Sequence, residues 1–368
     1  MRTRKKKAPA PGRRSPSASR RKRIDSVDIA RLVGVARSTV SKALNGYPYI
    51  AAGTRERILK AVRAYGYYPN YSAQVLAGKR TTTLGLFFFR AGNFADDVLA
   101  DFMISSVIEN AAALGYHTLA YVVRSPEDDA TGRSLMGAFY QRRVAAGIFI
   151  GARNREPLID QLVADGHAVG VFDQRPARRP EPNRAVVNYA DVATSRAVIA
   201  YLASLGHREI GIIDGDRARY AGMMKHRGFL AGMRANGLPV NESWMRDGDF
   251  QSESGYQAMR SLLAANKRLP TAVAAANDNT AFGAMRAMEE FGLRIPEDIS
   301  IVGVDGHPFC QYARPPLTTF EYDIQAMIRG LVSAVIGIVS GKADPQDLRQ
   351  VYSARLVERQ SCRKISAA

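Results

Sequence analysis

An alternation that begins after Arg80 limits most strongly how this chain can fold: short, almost continuously apolar runs take turns with amphipathic stretches of helical period. Residues 84–89, 117–123, 146–150 and 169–172 read as strands, with a helix over 104–114. The pattern continues with helices over 192–205, 227–236 and 281–291 and strands over 209–213, 272–276 and 299–304. Strands that are apolar along their whole length need cover on both faces, which a parallel sheet flanked by helices provides. The expected fold of this region is an α/β core of two doubly wound parallel-sheet lobes, although no internal sequence repeat is visible. At 368 residues and 46% hydrophobic composition, the chain has enough apolar side chains for two or three domains.

Charge separates the two ends. Of the formal net charge of +18, residues 1–80 carry +17, with 20 Lys and Arg against Asp25, Asp28 and Glu56, so the remainder is balanced to within one charge. A basic head on a neutral body points to a polyanion, nucleic acid first and a membrane surface as its rival. Residues 1–23 hold eleven basic residues, no acidic ones and no periodic apolar positions. They read as a disordered basic arm, either a solvated tail or a non-specific phosphate binder. They contain no apolar core of a secretory signal, and no run approaches the roughly 20 apolar residues that span a bilayer, so a cytoplasmic location is expected. Cys310 and Cys362 are too few for a disulfide framework or a metal cluster, and the five His are scattered; neither metal nor cofactor is expected.

Between residues 24 and 69 the pattern changes to short helical pieces, with Ile29, Leu32, Val35, Val40, Leu44, Ile58, Val62 and Tyr65 spaced to meet in one small core. Residues 26–45 read as two helices about a tight turn at Gly34, a helix-turn-helix within a three-helix headpiece. In that arrangement the second helix enters the major groove, with Arg37, Ser38 and Lys42 facing base edges and Thr39 and Ser41 placed to hydrogen-bond phosphates. Pro69 and Asn70 punctuate the chain before a short helical stretch that ends at Gly78, a hinge candidate over 70–81.

These residues resemble the headpiece of the lactose/galactose repressor family. The likeness lies in Val27-Asp-Ile-Ala, Gly34-Val, Ser38-Thr-Val-Ser-Lys, Leu44-Asn-Gly, Thr54-Arg-Glu-Arg-Ile-Leu, Gly66-Tyr-Tyr-Pro-Asn70 and Ala73-Gln-Val-Leu-Ala-Gly-Lys79. The resemblance implies DNA contacts at Ser26, Arg37, Ser38, Thr39, Ser41, Lys42 and Asn45, and at Asn70, Ala73 and Leu76 in a hinge helix, with Leu76 as an apolar wedge in the minor groove. A helix this short is unstable alone and should fold on DNA. Three positions depart from the family: Ala36 and Ala51 stand where capping Ser is usual, and Lys42 where Arg is usual. Each missing cap costs about 0.5–2 kcal/mol, and Lys lacks the fork that matches guanine.

The resemblance extends through Leu205-Gly-His-Arg-Glu-Ile-Gly, Ala276-Asn-Asp-Asn-Thr-Ala-Phe-Gly, Ile295-Pro-Glu-Asp-Ile-Ser-Ile-Val-Gly-Val-Asp305 and Arg314-Pro-Pro-Leu-Thr-Thr319. It implies a core like periplasmic sugar-binding proteins, with a small-molecule effector in the cleft between the lobes. Strand ends line such clefts. Asn277 and Asp305 match effector contacts, Lys225 stands where an Arg usually grips the ligand, and Phe250 is the aromatic candidate to cover a sugar ring. Asp173 is either a ligand contact or a solvated loop residue, and Asp278 is expected to cap the helix that follows it. Lys225, Gly306 and the segment from Asp97 depart from the usual pattern, so the resemblance implies a sugar or sugar derivative without carrying a standard hexose with it.

The expected layout is an arm over 1–23, a headpiece over 24–69, a hinge over 70–81, a first lobe from 82–206 with 318–345, a second from 207–317 with 346–362, and a tail over 363–368. The expected activity is that of a homodimeric regulator of transcription on double-stranded operator DNA, a repressor by family habit, governed by a carbohydrate-class effector. An α/β enzyme is the first alternative, yet no glycine-rich phosphate loop, nucleophile elbow or metal spacing occurs. A periplasmic-type solute receptor is the second, against which the headpiece argues.

Overall fold

A computed structural model describes residues 24–68, 81–89, 98–124, 129–179 and 181–365. The chain divides after Lys79 into two compact units. In the first, α1 (Ser26–Val33) begins at a reciprocal cap: the Asp25 carboxylate accepts from the Val27 and Asp28 amides, and the Asp28 carboxylate accepts from the Asp25 amide. It ends at Gly34, whose φ of +70° turns the chain into α2 (Arg37–Leu44). Helix α3 (Ala52–Tyr65) follows. Neither α2 nor α3 has a side-chain cap, as expected from Ala36 and Ala51.

Ile29, Ala30, Val40, Ala43 and Ile58 form the buried centre of the headpiece, with Val35, Leu44 and Val62 packed around them. Two expected members fall outside it: Leu32 is 52% and Tyr65 50% exposed. On α1 the buried stripe runs through Ile29, Ala30 and Val33, and Leu32 lies about 110° around the helix from its centre. Tyr65 sits in the last turn of α3, and Tyr67 beyond it packs on the centre instead.

Among the described residues, the second unit contains two six-stranded sheets. The first lobe holds β1 (Thr83–Phe89), β2 (His117–Val123), β3 (Ala146–Ile150), β4 (Ala168–Phe172), β5 (Arg184–Tyr189) and β11 (Arg349–Tyr352), in the order β11-β5-β4-β3-β1-β2. The second holds β6 (Ile210–Ile213), β7 (Met245–Arg246), β8 (Ala272–Ala275), β9 (Ser300–Asp305), β10 (Thr318–Glu321) and β12 (Arg355–Val357), in the order β12-β10-β9-β8-β6-β7. All pairings are parallel except β10 with β12. Each lobe therefore winds outward in both directions from its first strand, the same topology twice without a visible sequence repeat.

Helix α4 (Val98–Ala113) follows β1, and α5 (Asp129–Tyr140) and α6 (Pro157–Ala164) complete the crossovers of the first lobe. Helices α7 (Asp191–Ser204), α8 (Tyr220–Ala235), α9 (Ser252–Ala265) and α10 (Asp278–Glu290) belong to the second lobe, and α11 (Ile324–Ser340) packs back on β3, β4 and β5 of the first. The chain thus passes between lobes between 189 and 191, between 321 and 324, and between 352 and 355. This corrects the expected partition at three places. Residues 191–204 and 318–321 lie in the second lobe, and 349–352 in the first. Apolar content is alike in both sheets, so it does not tell a strand which neighbour it pairs with; register across hundreds of residues does.

Candidate functional site

In the headpiece, α2 presents Arg37, Ser38, Ser41 and Lys42 to solvent, while Thr39 is partly buried. The Arg37 Nε donates to Ser26 Oγ at 3.0 Å, the Lys42 ammonium lies 5.4 Å from the centroid of the Tyr49 ring, and Asn45 Nδ2 reaches Ser41 Oγ at 3.5 Å. Two arginines of α3 brace the pair of helices. Arg55 donates to the Ala43 carbonyl at 3.3 Å and to that of Tyr47, and Arg57 donates to the Val33 carbonyl at 2.8 Å. These bonds add side-chain donors to carbonyls at the ends of α1 and α2 and in the turn after α2, and tie the exposed ridge of α2 to α3. Sequence periodicity alone gave no sign of them, because Arg55 and Arg57 look like ordinary surface charges. Asn70, Ala73 and Leu76 lie outside the described residues.

The cleft between the lobes of the core gathers the five expected ligand residues. Asp173 follows β4, Asp305 ends β9, and Phe250 precedes α9; all three have positive φ, at 62°, 108° and 72°. They are three of the five such non-glycine residues among those described, a concentration of strained backbone typical of a functional site. Asn277 ends the run after β8, and Lys225 projects from α8. The remaining wall is apolar on the first-lobe side, from Phe88, Phe89, Leu99, Met103 and Phe172, with Tyr189, Arg219 and Gln251 adding polar atoms.

Lys225 organises the electrostatics. The residue is 2% exposed, and its ammonium donates to the Ala276 carbonyl at 2.8 Å and to Asp305 Oδ1 at 3.2 Å, and lies 3.9 Å from Asp191 Oδ1. The rings of Tyr189 and Phe250 flank it at 5.8 and 5.6 Å. Burial by itself lowers the pKa of this ammonium, but the neighbouring Asp305, Asp191 and Asp173 carboxylates outweigh it and raise the value above that of a free lysine. Asp191 is buried with no hydrogen bond to either oxygen; burial, together with Asp173 and Asp305, holds its pKa well above the ordinary carboxyl range. The shorter contact makes Asp305 the closer ionic partner of Lys225. Asp173 is only partly exposed and accepts from the Ala221 amide at 3.3 Å; burial raises its pKa to about 6. A freely solvated loop residue it is not.

The expected cap at Asp278 is displaced by one residue. Asn277 caps α10, with Oδ1 accepting from the Thr280 amide at 2.9 Å, and its Nδ2 supports Phe250 by donating to that residue's carbonyl at 3.1 Å. Asp278 instead turns inward, accepting from the Gly306 and His307 amides at 2.8 and 2.6 Å and from the Thr319 hydroxyl at 2.6 Å. It ties α10 to the loop that carries Asp305. Gly303 on β9 makes room for this, since a Cβ there would collide with the Asp278 carboxylate. Tyr189 and Asp191 were unassigned from sequence; the only available signal was their place at the end of an apolar strand. Among the described residues, no group of three His, Cys, Asp or Glu could hold a metal ion, and no helix is long and apolar enough to cross a membrane.

Comparison with known proteins covers both units. The family model of bacterial regulatory proteins, lacI family, matches residues 27–70, and that of the periplasmic binding protein-like domain matches 199–362. The chain is 29% identical over 351 residues to the HTH-type transcriptional regulator CelR of Thermobifida fusca, covering 93% of this chain and 99% of that protein. It is 30% identical over 339 residues to the HTH-type transcriptional repressor PurR of Photorhabdus laumondii subsp. laumondii, covering 91% and 95%. Among solved structures, the lac repressor dimer bound to operator and the anti-inducer ONPF superposes with a TM-score of 0.80 at 26% identity, covering 92% of this chain and 99% of that one. A complex of the regulator CelR with cellobiose gives 0.70 at 26% identity, covering 92% and 100%.

Proposed function

The chain belongs to the lacI family of bacterial regulatory proteins, a DNA-binding, ligand-responsive regulator of transcription, and on that premise we propose that it represses from a near-palindromic operator as a homodimer in the cytoplasm. The observation that carries this reading is the exposed ridge of Arg37, Ser38, Ser41 and Lys42 on α2, braced from behind by Arg55 and Arg57. Two such ridges, one from each copy, fit successive major grooves, with Thr39 and Asn45 at their margins and Ser26 beside Arg37. The hinge residues Asn70, Ala73 and Leu76 then enter the central minor groove, Leu76 as the wedge.

The effector is a small polyhydroxylated molecule of the carbohydrate class. Support comes from the mixed wall of the cleft, where Asp173, Asn277 and Asp305 offer polar atoms beside the Phe250 ring, and from the relative whose structure is a complex with cellobiose. Lys225 spends its donors inward, on Ala276 and Asp305, and so shapes the cleft more than it grips a ligand. A ligand touching both lobes alters the angle between them at the three crossings, and so the spacing of the paired hinge segments.

The second copy fits the first lobe. Strand β2 is the edge of its sheet, with Leu119 and Val122, on opposite faces, 38% and 48% exposed, and Ile108 on α4 and Leu114 just past it are also exposed. The test is a pair of variants in operator retardation and ligand titration. Leu76→Ala is expected to weaken operator binding while leaving effector affinity measured without DNA unchanged; Asp305→Asn is expected to abolish the effector response with operator affinity intact. Equal operator binding by Leu76→Ala and the parent would remove the wedge, and a normal response from Asp305→Asn would take that residue out of the site.

A further inference from the structure

Two cations share the exposed face of α2, and their surroundings differ. Arg37, the first residue of the helix, directs its Nε–H at Ser26 Oγ across the turn, and Ser26 is itself held at the first position of α1 behind the Asp25 cap. Pinning Nε restrains the guanidinium of this exposed residue, and its paired terminal amino groups have no partner among the described residues. Lys42 has its ammonium over the ring of Tyr49, which is 63% exposed. A ring face attracts a cation with little directional demand. Guanine offers two adjacent acceptors, O6 and N7, in the major groove; the planar arginine fork matches both, whereas an ammonium acts as a point charge.

We propose that Arg37, held by Ser26, reads a guanine in each operator half-site, and that Lys42 adds affinity without sequence preference. Ser26 is then a positioning residue and not a phosphate contact. This rests on the headpiece being the DNA reader, and the test separates the two ideas. Duplexes are selected from a random pool with the full chain. The enriched duplex, its single-base variants and a scrambled duplex are then titrated at fixed salt with the parent, Arg37→Ala, Ser26→Ala, Ser26→Thr and Lys42→Ala.

For the parent, replacing one half-site guanine should cost roughly 5- to 150-fold in affinity. Arg37→Ala should erase that discrimination, Ser26→Ala should shrink it while leaving binding to the scrambled duplex unchanged, and Ser26→Thr should restore it. Lys42→Ala should weaken binding to every duplex alike and lower the slope of log affinity against log salt by about one. A guanine preference that survives Arg37→Ala, or a Ser26→Ala variant that loses affinity for all duplexes equally, would overturn the inference alone. A pool that shows no enrichment would overturn the DNA-reading function and this inference with it.

Discussion

Lys225 concentrates the electrostatics of the cleft on a single buried ammonium. Removing it in Lys225→Met leaves the buried Asp305 carboxylate without its cation, a loss expected to destabilise the core by about 3–5 kcal/mol in urea unfolding. Adding Asp305→Asn should recover most of that loss, because the uncompensated charge is gone; no recovery would mean that Lys225 acts through packing. Burial also raises Asp173 to about 6 and Asp278 to about 7. In the fold these carboxyls keep protons that the unfolded chain holds only below about pH 4, so their contribution to stability is complete below pH 4 and is lost as the pH climbs through 6 and 7. The urea midpoint of the core should therefore fall between pH 5 and pH 8, and Asp278→Asn should reduce that fall; an unchanged fall would contradict the assignment. Asp305 was legible in the sequence because it ends an apolar strand, whereas Lys225 was reached through the family resemblance and Phe250 as the aromatic beside the cleft. The exchange of roles between Asn277 and Asp278 was not, since neighbouring Asn and Asp can both cap a helix, and only Gly306, His307 and Thr319, brought in from other elements, select between them.

At the level of elements, the three headpiece helices differ in how they start. The reciprocal Asp25–Asp28 cap holds α1, while α2 begins at Ala36, whose φ of −68° and ψ of 148° already suit a capping residue. Ala36→Ser should therefore stabilise the headpiece, by up to about 1 kcal/mol, visible as a rise in its unfolding temperature. No rise would indicate that the serine hydroxyl stays with water. The missing caps were readable directly, as were most strands, since each depends on a few adjacent residues. Which sheet a strand joins was not readable: β10 pairs with β9 and β11 with β5 through contacts that no local pattern encodes. The same holds for Arg55 and Arg57, whose partners lie 8–24 residues away.

For the whole molecule, the division of charge is the organising fact: nearly all the positive excess belongs to residues 1–80, and the core that forms the cleft is close to neutral. Long-range attraction to DNA is thereby confined to one end, and the other is left to respond to a ligand. Assembly completes the design. A lysine at Val122 on the open edge of β2 should interrupt pairing of two copies, so Val122→Lys is expected to sediment as a monomer and bind operator more weakly; an intact dimer would place the interface elsewhere. The most direct measurement is the affinity of the full chain, at one fixed salt concentration, for a duplex selected by the protein and for a scrambled duplex of equal length. A preference of about 10³-fold or more for the selected duplex is expected of a sequence-reading headpiece. Equal affinity for both, with the same steep dependence on salt, would mean that the basic end senses only phosphate charge.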